Sequence, residues 1–209
     1  MRLLVAKAPL LRLLRCARRV LFVSGLALLA YCGFVLLDAW RFQQGAGQEL
    51  EQLLTDREVS GGPRKTSSLA SLAVPLRVAP GGLIGRIEVP RVGISVIVTE
   101  GTAARTLRRA VGHISGTALP GQPGNIGISG HRDTFFRPLR NIRAGDLVAL
   151  TTPAGEYRYR VVSTKVVRPD DVAVLKAGSG EILTLVTCYP FYFVGPAPSR
   201  FIVRAARAE

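Results

Sequence analysis

The chain has 209 residues, 48% of them hydrophobic and 20% charged, which excludes wholesale disorder and leaves room for one globular domain with an appendage. Lysine and arginine number 28 against 14 acidic residues, a formal charge of +14. Three cysteines and two histidines, with no Cys-x-x-Cys, exclude a disulfide-rich scaffold and a four-cysteine zinc site, so no metal and no cofactor is expected.

Residues 1–19 carry Arg2, Lys7, Arg12, Arg15, Arg18 and Arg19 and no acidic residue. Val20 to Leu37 follows without a charge, and its 18 residues span about 27 Å as a helix, close to the hydrocarbon thickness of a bilayer. Asp38 and Arg41 end the run, with Trp40 where an interfacial aromatic would sit. A cleaved signal peptide would have a shorter apolar stretch and a small-x-small cleavage site. Cys32, preceded by Tyr31 and followed by apolar residues, is a poor lipid-anchor site, and a buried core helix would need no basic block before it. The expectation is a single-pass signal anchor over 20–38 in the cytoplasmic (inner) membrane. The basic N-terminus, 1–19, stays inside and the rest of the chain lies outside.

Asp38 to Glu58 reads as a polar helix with Leu50, Leu53 and Leu54 at helical spacing. Residues 59–82 are rich in Gly, Pro, Ser and Ala without a steady period, so 39–82 is expected to be stalk and linker. From residue 83 the texture changes to short β-branched runs separated by turn residues. Leu83–Val89, Ile94–Thr99, Asn125–Gly130, Leu147–Thr151, Tyr157–Val167, Ile182–Thr187 and Arg200–Ala205 all read as strands. Pro153 to Glu156 makes a turn between two of them, and short helices are expected around Ala103–Ala110 and Thr134–Asn141. Seven or eight short strands over 83–209 predict a mainly β domain, a small barrel or sandwich. The charge remaining outside 1–19 is +8 and lies within 83–209, scattered and without an aromatic-interleaved stripe, so nucleic acid is not an expected partner.

No phosphate-binding, dinucleotide, nucleophile-elbow or zinc-protease motif occurs. Cys188 is the cysteine beyond the span, so it has no partner for an intramolecular disulfide. It ends the run Thr184-Leu185-Val186-Thr187-Cys188, just before Tyr189-Pro190, at a strand end where a rigid frame can present a reactive thiol. His131, in Gly127-Ile128-Ser129-Gly130-His131-Arg132-Asp133, also follows a strand, and the glycines on either side of Ser129 allow close backbone approach and leave the imidazole accessible. His113 is its only competitor and is expected at most to line the site. Arg200 opens the last strand and, twelve positions after Cys188, can lie beside it on an adjacent antiparallel strand. A cysteine, a histidine and a fixed positive charge together suit acyl chemistry, in which a developing oxyanion needs stabilisation.

Residues 83–207 resemble the sortases, membrane-anchored cysteine transpeptidases of bacterial envelopes. Thr184-Leu185-Val186-Thr187-Cys188 matches the family's T-L-x-T-C signature, Gly130-His131-Arg132 its histidine segment, and Arg200 its arginine, in family order. The stretches 121–132 and 188–204 look most like the class D or related Gram-negative-type sortases. The resemblance implies an eight-stranded β-barrel with short helices, preceded by one transmembrane helix. It also implies Cys188 as nucleophile, His131 as acid/base and Arg200 as stabiliser of oxyanion or substrate. Thr187 and the backbone beside Cys188 would help in substrate or oxyanion contact, and loop 168–181 would border the substrate groove. The implied partners are proteins with a C-terminal LPxTG-like sorting signal and an amine acceptor of the envelope or of another protein. Only four residues follow Ala205, so no second span is expected, which argues against the pilus-polymerising class with two anchors. Asp170 and Asp171 are expected to be solvated turn residues rather than a calcium site. Two rival readings stand beside it: a hydrolase with the same Cys-His-Arg site that releases free acid, and a catalytically silent barrel that binds envelope peptides and does not need Cys188.

Overall fold

A computed structural model describes residues 7–59, 78–178 and 180–208. The linker expected over 59–82 lies mostly outside them. A long helix, α1 (Lys7–Val59), precedes eight strands: β1 (Leu83–Val89), β2 (Ile94–Glu100), β3 (Val111–His113), β4 (Gly124–Ser129), β5 (Leu147–Thr152), β6 (Gly155–Val167), β7 (Glu181–Tyr189) and β8 (Ser199–Arg207). A short helix, α2 (Ala104–Arg109), separates β2 from β3. The strands close into a barrel in the order β1-β2-β3-β4-β7-β8-β6-β5. The β2–β3 and β4–β7 pairs are parallel and the rest antiparallel.

Alternation along each strand creates the interior. Ile87, Val89, Val98, Ile126, Ile128, Leu150, Leu183, Leu185 and Val203 form one buried cluster, every second residue of its strand. Burying an aliphatic side chain of this size is worth about 1.5–3 kcal/mol, so the period-two pattern is the main term holding the barrel closed. The barrel has two ends, defined by strand direction. One carries the C-termini of β4 and β7 and the N-termini of β3 and β8; the other carries the β5–β6 turn and the C-terminus of β3.

Among the described residues, α1 is the one helix long and apolar enough to cross a membrane, with a mean hydropathy of 2.5 over its best 18-residue window. Its Leu21, Phe22 and Leu29 are all exposed, the signature of a helix that is apolar all round. The chain divides into two compact units, Met1–Arg41 and Phe42–Glu209. The second unit therefore contains 42–59, part of the expected stalk. Gln43 explains how that segment is held: its Nε2 donates to the carbonyl of Arg109 (2.6 Å), and its Oε1 accepts from the Ile97 amide (2.9 Å). β3 first pairs with β2 at Val98, so the Ile97 amide finds its acceptor in a side chain of α1. Farther along, Glu51 accepts from Arg86 (3.4 Å) and Arg57 donates to the Pro153 carbonyl (3.4 Å). Leu50 and Ile97, each 1% exposed, are buried outside the interior cluster, on the outer face that α1 covers.

Two local expectations change. The helix expected over 134–141 is a turn followed by a 3₁₀-helix over Arg137–Asn141, because Pro138 lacks the N–H that an α-helical turn would use. β3 was not expected from the sequence; its three residues are held by a parallel partner on one side and an antiparallel one on the other.

Candidate active site

β4 and β7 run parallel and in register, with Ser129 opposite Val186. β7 and β8 run antiparallel, with Cys188 opposite Arg200. Three strand ends therefore meet at one end of the barrel, and each delivers one of the residues singled out from the sequence. Directly opposed residues of an antiparallel pair point to the same face, and in β7 Leu183 and Leu185 take the inner one, leaving Cys188 and Arg200 outside. Both are half-buried, while His131 is exposed.

The segment bearing His131 is fixed from three directions. The Gly130 amide donates to the Val186 carbonyl (3.1 Å), which extends the β4–β7 ladder by one residue. The Thr187 hydroxyl donates to the Gly130 carbonyl (2.7 Å). The amide of Phe136 closes back onto the His131 carbonyl (3.1 Å). Glycine is required at 130, since a Cβ there would lie 2.7 Å from Cδ2 of the fully buried Phe136 ring.

Thr187 differs from the expectation of substrate contact. It is 2% exposed and its hydroxyl is turned to Gly130, so it ties the histidine segment to β7. Thr184, on the outer face, donates to Asn125 Oδ1 (2.7 Å), and Asn125 Nδ2 donates to the carbonyls of Val174 (3.0 Å) and Lys176 (3.3 Å). The two threonines of the Thr184–Cys188 run thus join β7 to two neighbouring segments: the histidine turn and, through Asn125, the 168–181 loop. That loop carries a 3₁₀-helix over Val172–Leu175 and borders a cleft of about 290 Å³ lined by Lys165, Asp171, Ile202 and Arg204. Asp170 receives two hydrogen bonds from Arg168, at 3.2 and 3.1 Å. No cluster of three potential metal ligands occurs among the described residues.

Arg132 has a role the sequence does not announce. It is 5% exposed and donates to three carbonyls of the turn between β7 and β8: Pro190 (2.7 Å), Phe193 (2.6 Å) and Gly195 (3.1 Å). Its guanidinium also lies 5.9 Å from the centre of the Phe193 ring. The residue after His131 therefore braces the turn that connects Cys188 to Arg200. Its partners are backbone atoms some sixty positions away, so the only signal in the sequence is its place beside the histidine.

His113 does not join this group. It lies at the C-terminus of β3, toward the opposite end, 2% exposed. Nδ1 meets Glu100 Oε2 at 2.5 Å and Nε2 meets the Ala118 carbonyl at 2.9 Å, with the Thr117 hydroxyl at 3.0 Å. Both ring nitrogens are occupied, so the imidazole is a buried strut and not part of the site's lining.

The sortase domain model matches residues 87–208, more than half of the chain and nearly all of the barrel. This chain belongs to the sortase family. It is 32% identical over 188 residues to Sortase D of Bacillus subtilis (strain 168), covering 90% of this chain and 95% of that protein. A Clostridium perfringens Sortase D5 transpeptidase shares the fold, with a TM-score of 0.63 and 23% identity over 82% of this chain and 99% of that one. Sortase C from Clostridium perfringens SM101 is 26% identical with a TM-score of 0.58, covering 86% of this chain and 96% of that one. The closed eight-stranded barrel is thus a sortase barrel, and its family is one of cysteine transpeptidases.

Proposed function

We propose that this sortase cleaves an LPxTG-like sorting signal between Thr and Gly and transfers the protein to an amine, with Cys188 as nucleophile, His131 as acid/base and Arg200 as stabiliser. The observation that carries the reading is the register: Cys188 opposes Arg200, and the histidine segment is tied through Gly130 and Thr187 to the residues just before the cysteine. The Cys188 thiolate attacks the threonine carbonyl carbon, forming a C–S bond as the carbonyl oxygen takes the negative charge. Arg200 faces that charge from the neighbouring strand. The C–N bond breaks as His131 delivers a proton to the departing glycine nitrogen, leaving a thioester on the enzyme. The acceptor amine attacks the thioester, gives a proton to His131 and expels the thiolate. Atoms and charge balance without a metal or cofactor.

The 32% identity to Sortase D of Bacillus subtilis over 90% of this chain supports the class D assignment. Together with the basic N-terminus and apolar run, the family supports a cytoplasmic-membrane anchor with the barrel outside. The test uses the full chain in detergent micelles with an LPxTG peptide and a small amine, products followed by mass. A thioacyl adduct and an amine-ligated product that disappear in Cys188→Ala are expected. Ligation that persists in Cys188→Ala overturns the nucleophile. Free acid as the sole product in abundant amine makes the protein a hydrolase.

A further inference from the structure

The end of the barrel that holds Cys188 also carries a cluster of features that acyl transfer does not use. In the turn between β7 and β8, Tyr192 (77% exposed), Phe193 (44%) and Val194 (96%) are consecutive and project from the protein. Beside them runs the basic stretch 137–143. Arg140 donates to the Tyr192 hydroxyl (3.2 Å) and its guanidinium lies 5.8 Å from that ring's centre. Arg137 and Arg143 are exposed on the same stretch. Two carboxylates oppose this charge. Asp146 is buried and engaged by Arg91, and Asp133 is 68% exposed with Arg132 at 3.5 Å. Large apolar side chains framed by arginines make a surface suited to the boundary between headgroups and acyl chains, where rings bury their faces and guanidiniums meet lipid phosphates.

A second observation concerns the chain's own tether. Within the barrel unit, α1 runs from Gln43, bonded to the Arg109 carbonyl just before β3, to Arg57, bonded to Pro153 in the β5–β6 turn. The N-terminus of β3 belongs to the Cys188 end and the β5–β6 turn to the opposite one. Read back from Arg57 to Phe42, where the unit begins, α1 therefore runs from the opposite end toward the Cys188 end, and the apolar run closes only a few residues upstream, at Leu37. The covalent path to the candidate span starts on the side that carries the aromatic turn.

We propose that the Cys188 end of the barrel docks on an anionic membrane surface through Tyr192, Phe193 and Val194 with Arg137, Arg140 and Arg143. This rests on the barrel and not on the reaction, so it stands or falls separately from transpeptidation. The test reconstitutes the full chain, with Cys16→Ala, Cys32→Ala and Cys188→Ala, in vesicles of phosphatidylglycerol and phosphatidylcholine. A fluorophore is placed at Val194→Cys or, at the opposite end, at Ala154→Cys, and quenched by headgroup-level spin-labelled lipid. Quenching is expected at 194 and not at 154. Each single change among Arg137→Gln, Arg140→Gln and Arg143→Gln should lower the ratio of docked to undocked label about fivefold, the equivalent of about 1 kcal/mol per surface arginine. Equal quenching at both positions overturns the docking. Quenching at 194 that ignores both the arginines and the anionic lipid overturns the electrostatic partner. Self-transfer between 194 labels without lipid quenching assigns the face to a second copy and overturns the proposal. The comparison of 194 with 154 leaves every arginine in place, so it does not depend on how the arginine variants fold.

Discussion

At the residue scale, the candidate site depends on atoms that hold the segments bearing Cys188, His131 and Arg200. Thr187→Val keeps the shape but leaves the Gly130 carbonyl without its donor inside the barrel. It should cost about 1 kcal/mol in denaturant unfolding and lower kcat more than it raises KM, since the histidine segment loses one tie. Gly130→Ala pushes a methyl into the Phe136 ring and should destabilise by about 1–3 kcal/mol. The double variant Gly130→Ala/Phe136→Leu should recover part of that loss, and failure to recover any would mean that the ring is not the obstacle. The cysteine, histidine and arginine could be singled out as candidates because their types and order match a known family. What Arg132 and the two threonines bond was not legible, because a motif says which residues recur and not which atoms their side chains meet.

At the scale of elements, seven of the eight strands were legible because β-branched alternation is a local property. β3 was not, since three residues carry no period and only their partners make them a strand. Asp38–Glu58 was expected to be helical and lies within α1, yet the docking of 42–59 could not be read, because it turns on one glutamine meeting an amide of β2. Gln43→Ala should therefore speed hydrogen exchange at the Ile97 amide while leaving interior amides of β7 protected. Leu50→Ala removes a side chain that is 1% exposed and should cost about 2–4 kcal/mol of barrel stability. Were the segment a free stalk, neither variant would change anything in the barrel.

For the molecule as a whole, charge is used unevenly. Arg91 donates two hydrogen bonds to Asp146, the second at 2.5 Å, and the Arg143 amide adds a third at 2.8 Å. This engagement, Arg91 first, holds the Asp146 carboxyl below the usual range, although burial pushes the other way. A lowered folded pKa binds fewer protons than the unfolded chain, so the contribution is complete above the unfolded value near ~3.9 and is lost as pH falls through the folded one. Thermal melts from neutral to strongly acid pH should show Asp146→Asn losing less stability than the parent over that window. At the far end, burial and the Glu181 hydrogen bond hold the Tyr159 phenol far above its ordinary range. Tyr159→Phe should cost about 1 kcal/mol, read as a lower denaturation midpoint at an unchanged slope.

The pairing of Cys188 with Arg200 has one more consequence. Strand residues alternate faces, so the pairing is a matter of counting parity between two neighbouring strands. An extra residue after Pro196, in the turn, lengthens a connection and leaves both strands in step. The same residue inserted between Phe201 and Ile202 forces a choice: either Arg200 swings into the barrel, or the interior side chains of β8 face outward. A pair of insertion variants of equal length and composition, five positions apart, would thus separate a tolerant joint from a strand in which a single slip removes the positive charge beside the cysteine.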